Sequence, residues 1–129
     1  MKKTYKFIFI LIIVIIISGC FNNSKYIELV KNTKPNNIMS LFTQDTPTLG
    51  ELTSNLKDCK YSVSKEKENT YVCISWIDSD KNLVKIFYYV NLETSKVSFS
   101  KLIINDKEKN EIYYQGLLLQ LINMKKNII

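Results

Sequence analysis

The side chains best suited to covalent chemistry are the three cysteines, Cys20, Cys59 and Cys73. A thiolate is a strong nucleophile, but it forms near neutral pH only beside a base or a positive charge. The chain contains no histidine, which excludes Ser-His-Asp and Cys-His catalysis and every histidine-based metal site. It contains no arginine either, so no bidentate clamp for phosphate or carboxylate is available. Neither Cys59 nor Cys73 stands in a C-x-x-C motif, so redox catalysis is not expected. Oxygen chemistry is equally thin. Asp78-Ser79-Asp80-Lys81-Asn82 has the D-x-D-x-N spacing of a calcium loop, but the sixth and twelfth positions are Leu83 and Tyr89. Glycine and glutamate are needed there, so the stretch reads as a solvated hairpin turn. Carboxylate pairs for acid–base work need burial to move their pKa values. Glu66, Glu68, Glu93, Glu108 and Glu111 all fall in or beside polar segments. No catalytic residue, metal ligand or cofactor is therefore expected, and the chain reads as a non-enzyme.

Cys20 is set apart by what precedes it. Lys2, Lys3 and Lys6 form a positive start, and Phe7 to Ile17 is an unbroken apolar run. Such a run suits the core of a signal peptide and falls short of the roughly 20 residues of a membrane span. Ser18 and Gly19 are small, as a peptidase cleft requires, and Cys20 brings a sulfur to the cleavage point. Ile17-Ser18-Gly19-Cys20 resembles the lipobox of bacterial lipoproteins. The resemblance implies that the Cys20 thiol carries a diacylglyceryl group and that a peptidase cuts between Gly19 and Cys20. In many bacteria the new amino group is then acylated. Residues 1–19 would be the signal peptide. The rest would sit on the cell membrane or outer membrane, with its domain on the extracytoplasmic side. Two or more acyl chains, at about 0.8 kcal/mol per buried methylene, hold a protein stably on a bilayer. Phe21 is not the aspartate that favours inner-membrane retention in enteric bacteria, so the outer membrane is expected where the cell has one.

This leader changes how the rest is read. The formal charge of +6 includes Lys2, Lys3 and Lys6, with no acid among residues 1–19, so the mature chain is near +3. That balance is too mild to argue for nucleic acid, and no such partner is expected. Export would place Cys59 and Cys73 in an oxidising compartment, where a disulfide between them is expected. The pair flanks the first predicted hairpin and faces across it if the turn centres near Glu66. A loop of about 15 residues would contribute ~3 kcal/mol in the chain-entropy model. The alternative is two free, buried thiols.

Hydrophobic periodicity supplies the elements. Residues 20–45 read as a lipidated tether with a short helical segment. Phe21-Asn22-Asn23-Ser24 is polar, and Tyr26, Ile27, Leu29 and Val30 follow at helical spacing after the cap candidate Ser24. Lys34-Pro35-Asn36-Asn37 breaks that helix, and 38–42 form a second apolar patch. Residues 46–129 read as a small α+β domain. Thr46 as cap and Pro47 as first residue predict a helix over 48–57, with Leu49, Leu52 and Leu56 on one face. Gly50 lies inside it and weakens it by up to ~1 kcal/mol relative to alanine. From Lys60 the period becomes two. Strands are predicted over 61–64, 70–77, 83–92 and 97–104, joined by short polar turns as a four-stranded antiparallel meander. Centring the second hairpin on Asp80 pairs Trp76 with Val84 and Ile74 with Ile86, which makes one apolar face. Lys101 interrupts either register of the last hairpin, as an edge strand tolerates. Asn105-Asp106 is predicted to cap a final helix over 107–126, packed on one sheet face.

Pro47-Thr48-Leu49-Gly50-Glu51, then strands, then Ile103-Ile104-Asn105 before a closing helix, is similar to a small domain of uncharacterised exported bacterial proteins. That pattern usually carries a tryptophan after the first helix, where this chain has Tyr61. The resemblance implies the α-then-β layout and no activity. The expected role is a non-enzymatic, membrane-anchored module that binds another envelope protein. The alternative is an inhibitor or immunity lipoprotein that blocks an incoming enzyme or toxin. Lysozyme-inhibiting lipoproteins share its size and β content, but their S-G-x-x-Y motif is absent. Tyr61, Tyr71, Tyr88, Tyr89, Tyr113 and Tyr114 are expected mainly at the rim of the core with hydroxyls in water. A cluster of them on an open sheet face would instead make a binding patch.

Overall fold

Period-two sequence from Lys60 to Lys109 builds one antiparallel sheet in the computed structural model, which describes residues 23–38 and 45–128. The strands are β1 (Lys60–Glu66), β2 (Asn69–Ile77), β3 (Leu83–Asn91), β4 (Lys96–Ile104) and β5 (Lys107–Lys109), and they neighbour one another in chain order. The second hairpin has the expected register, with Trp76 opposite Val84 and Ile74 opposite Ile86. The fold is therefore α+β with a five-stranded meander, one strand more than the sequence reading gave.

The fifth strand comes from a misread turn. Asn105 and Asp106 both take the left-handed backbone conformation, with φ of 50° and 66°. Two consecutive residues of this kind make the tight hairpin turn whose twist suits antiparallel strands, and Asn and Asp tolerate it best. They join β4 to β5 and do not cap the final helix. That helix, Glu111–Ile128, starts later. Its cap is Asn110, whose Oδ1 accepts from the Tyr113 N–H at 2.9 Å.

Lys101 is accommodated by a bulge. Phe87 pairs with Lys101 but Tyr88 pairs with Phe99, so Ser100 has no partner on β3. The extra residue flips the alternation of β4 midway. Val97, Phe99, Leu102 and Ile104 consequently share the face that carries Val72, Ile74 and Trp76, while Lys101 falls on the other.

The chain before the sheet is part of the domain. Residues 23–31 form a helix (α1), so Asn23 and Ser24 belong to it and not to a polar tether. Pro35–Ile38 forms a further helical turn (α2), in which Pro35 occupies the first position, where a missing N–H is tolerated. Of the expected 38–42 patch, residues 39–42 lie outside the described residues, as do Gly19, Cys20 and the segment before them. The helix expected over 48–57 is shorter, Leu49–Thr53 (α3). Its cap is Thr48, in a capping box with Glu51, and not Thr46. Thr46 is instead buried and bonds the Asn36 side chain at 2.7 Å.

One face of the sheet carries the core. Val30 from α1, Leu49 and Leu52 from α3, and Tyr114, Leu118, Leu121 and Ile122 from Glu111–Ile128 (α4) pack with Val72, Ile74, Trp76, Ile86, Tyr88 and Leu102. Val30 is fully buried, so the domain begins well before residue 46. Gly50 explains how α1 gets so close. A Cβ there would stand 3.0 Å from the Lys31 carbonyl oxygen, and the Leu49 N–H bonds the Thr33 carbonyl at 2.8 Å.

Candidate functional site

Strand alternation that fills the core on one face leaves a second face that no described helix covers. Its central rows follow from the register. Ser62, Cys73, Phe87 and Lys101 lie side by side across β1 to β4, and Ser64, Tyr71, Tyr89 and Ser98 form the next row. Lys60, Ser75, Lys85 and Ile103 form the row on the other side. The Tyr71 and Tyr89 rings meet edge to face at 6.0 Å, and the Lys101 Nζ stands 4.8 Å from the centre of the Phe87 ring. Lys96 extends the basic character along β4. By register, the acids on this face are Glu66 on β1 and Glu108 on β5, both on outer strands. The middle is therefore aromatic and its surroundings are cationic.

Cys73 lies within this face, buried against its neighbours and hydrogen-bonded to Ser62. Burial pushes its thiol above the ordinary range, and the nearby Lys85 and Lys101 only partly oppose that. Cys59 lies on the opposite face, in a shallow hollow with Lys31, Thr53, Tyr61 and Lys125. Burial raises its pKa too, against the Thr53 hydrogen bond and the Lys31 charge. Neither thiol is activated as a nucleophile. The expected Cys59–Cys73 disulfide is absent, and both cysteines are free. The reason is register. Glu66 pairs with Asn69, so the first hairpin centres between Lys67 and Glu68 and Ser62 faces Cys73. Cys59 comes one residue before the Lys60–Ser75 pair, on the far side of the sheet.

The Asp78 carboxylate and the buried tyrosines are engaged within the fold. Asp78 spends Oδ1 on the backbone N–H groups of Asp80 and Asn82, at 2.9 and 2.8 Å. Its other oxygen accepts from the Asn82 amide at 3.2 Å, so the calcium-like spacing serves as a turn. Among the described residues no group of three carboxylates or thiols is placed to hold a metal. Tyr88 and Tyr114 do not reach water. Both are fully buried, their hydroxyls bond each other at 2.9 Å, and Phe99 stacks on the Tyr114 ring at 3.9 Å. Burial holds both hydroxyls well above the usual tyrosine pKa. A groove of about 570 Å³ between α4 and the β2–β3 turn is lined by Trp76, Leu117 and Met124, with Asp78 and Asp80 on its rim. Among the described residues its lining includes one lysine, Lys57, and no acid–base or nucleophilic pair.

Period-two alternation over 70–77 puts Tyr71 and Cys73 on one face of β2, but it does not by itself assemble the lysines around them. The signal was present in the alternation of β3, where Lys85, Phe87 and Tyr89 recur at every second residue. Among the described residues no helix is long and apolar enough to cross a membrane. Comparison with protein-family models, with curated sequences and with solved structures gives no match to this chain.

Proposed function

We propose that the chain is a bacterial lipoprotein, anchored through lipid on Cys20, whose folded domain is a non-enzymatic protein-binding module of the cell envelope. The observation that carries the reading is sequential. A basic start, an apolar run and Ile17-Ser18-Gly19-Cys20 come in the order and spacing of a lipoprotein leader. Asn23, only three residues later, is already helical in α1, and Val30 of that helix is part of the core. An anchor on Cys20 would thus be coupled to the fold with almost no slack. The non-enzymatic half of the proposal is supported by raised thiol pKa values at Cys59 and Cys73 and by the self-contained bonding of Asp78.

The test is replacement of Cys20 by serine with metabolic labelling by radioactive palmitate. The wild type incorporates label and is processed. Cys20→Ser loses the label and accumulates as the uncut precursor. Normal processing of Cys20→Ser would overturn the lipoprotein reading.

A further inference from the structure

The uncovered face of the sheet combines an aromatic centre with a cationic surround, and its orientation follows from where the chain enters the fold. We propose that this face docks the acidic surface of a folded protein partner and looks away from the bilayer. The orientation rests on the lipid anchor at Cys20.

Charge complementarity defines the partner. Lys60, Lys85, Lys96 and Lys101 lie on this face, and its acids are confined to the outer strands β1 and β5. Tyr71, Phe87 and Tyr89 form the centre. An apolar aromatic centre with a charged surround is the anatomy of a protein–protein interface, in which the rings supply affinity and the charges supply steering. Strand spacing and rise make the face roughly 20 by 27 Å, and the hollows found among the described residues open elsewhere. A surface of this shape fits a folded partner at the low end of interface sizes and offers no channel to a linear polymer.

Two other occupants are disfavoured by geometry. The bilayer is the first. The helix α1 packs on the core face, where Lys31 Nζ stands 4.9 Å from the centre of the Tyr61 ring. From Asn23 back to Cys20 the chain reaches at most about 10 Å. Packed layers are about 10 Å apart, and the side chains of the open face project further. An anchor that leaves from the core side therefore holds that side nearer the bilayer and leaves the open face turned from it. A second copy is the other. A symmetric face-to-face pair would bring two net-cationic faces together, and like charges across an interface are repelled.

The test uses the full chain in the cells that produce it, with p-benzoylphenylalanine in place of Tyr89, or of Ile112 as a control. Ile112 is 75% exposed, on α4. Irradiation at position 89 is expected to give an adduct with a different protein, linked through a peptide rich in Asp and Glu, and none from position 112. Lys85→Glu with Lys101→Glu is expected to lower the yield at least about tenfold. Lys60→Glu, at the margin of the face, lowers it less and serves as a second variant. Unchanged yield in the reversed variants, or adducts with lipid, glycan or a second copy, would overturn the proposal. Cys20→Ser, fractionated separately, reads the anchor alone, so a failed anchor and a failed docking face give different results.

Discussion

Lys31 and Gly50 are in backbone contact, and that contact seats α1 on the domain. A Cβ on Gly50 would meet the Lys31 carbonyl oxygen at 3.0 Å and the Lys31 Cβ at 3.1 Å. Neither atom is the end of a flexible side chain, so α1 must move to admit a methyl group. Gly50→Ala is therefore expected to destabilise the protein by about 1–2 kcal/mol, despite the better helix propensity of alanine. Gly116, on α4, has nothing within 4 Å of its Cβ position. Gly116→Ala is expected to stabilise by up to about 1 kcal/mol. Urea unfolding midpoints of the two variants check the contrast. A stabilised Gly50→Ala would mean that α1 is not seated as described.

The Tyr88–Tyr114 hydroxyl pair predicts a non-additive cycle. Tyr88→Phe leaves the Tyr114 hydroxyl buried without its partner and is expected to cost about 1–3 kcal/mol. The double variant Tyr88→Phe/Tyr114→Phe removes both groups and should lie within about 1 kcal/mol of the wild type. The same pair sets an alkaline limit. Burial raises both pKa values, while unfolded tyrosines ionise near 10. The contribution is therefore fully present below about pH 10 and is lost as the pH climbs from there towards the folded values. Unfolding midpoints between pH 8 and 11 should fall more steeply in the wild type than in the double variant.

The opposite placement of Cys59 and Cys73 predicts two free thiols. Thiol titration of the unfolded chain, purified without reductant, should find both reactive. Titration of neither would mean that β1 pairs with β2 in another register.

The bulge at Ser100 predicts that this one residue is dispensable for register. Deleting Ser100 sets Phe99 beside Lys101, so Val97, Phe99, Leu102 and Ile104 keep the core face and Lys101 keeps the open one. The deletion is expected to leave a folded protein, with stability by urea unfolding changed by less than about 2 kcal/mol, and an unfolded product would contradict the pairing. Ser100→Ala keeps the extra residue and should change stability by less than about 1 kcal/mol.

These elements show how far the sequence could be read. The alternation of β2 and β3 is regular and its turn is short, so Trp76–Val84 and Ile74–Ile86 were legible. The bulge was not, because one unpaired serine changes the parity of half a strand without altering its composition. Asn105-Asp106 has the same residue types as a helix cap and as a tight hairpin turn. Only the pairing of Ile104 with Lys107 distinguishes them. The first connection was legible as Lys65–Asn69, but it contains no glycine or proline to fix its centre, which falls between Lys67 and Glu68 and not near Glu66. That small offset moved Cys59 to the other face and removed the disulfide. The open face was half legible, since the aromatics were visible in β2 and β3 but the lysines gather only once four strands are aligned.

The most direct measurement is the intact mass of the chain extracted in detergent from membranes of producing cells. A mass for residues 20–129 plus diacylglyceryl on Cys20, with or without an amino-terminal acyl chain, is the predicted result. A chain that begins at Met1, or at any residue other than Cys20, or that carries Cys20 without lipid, would contradict the account.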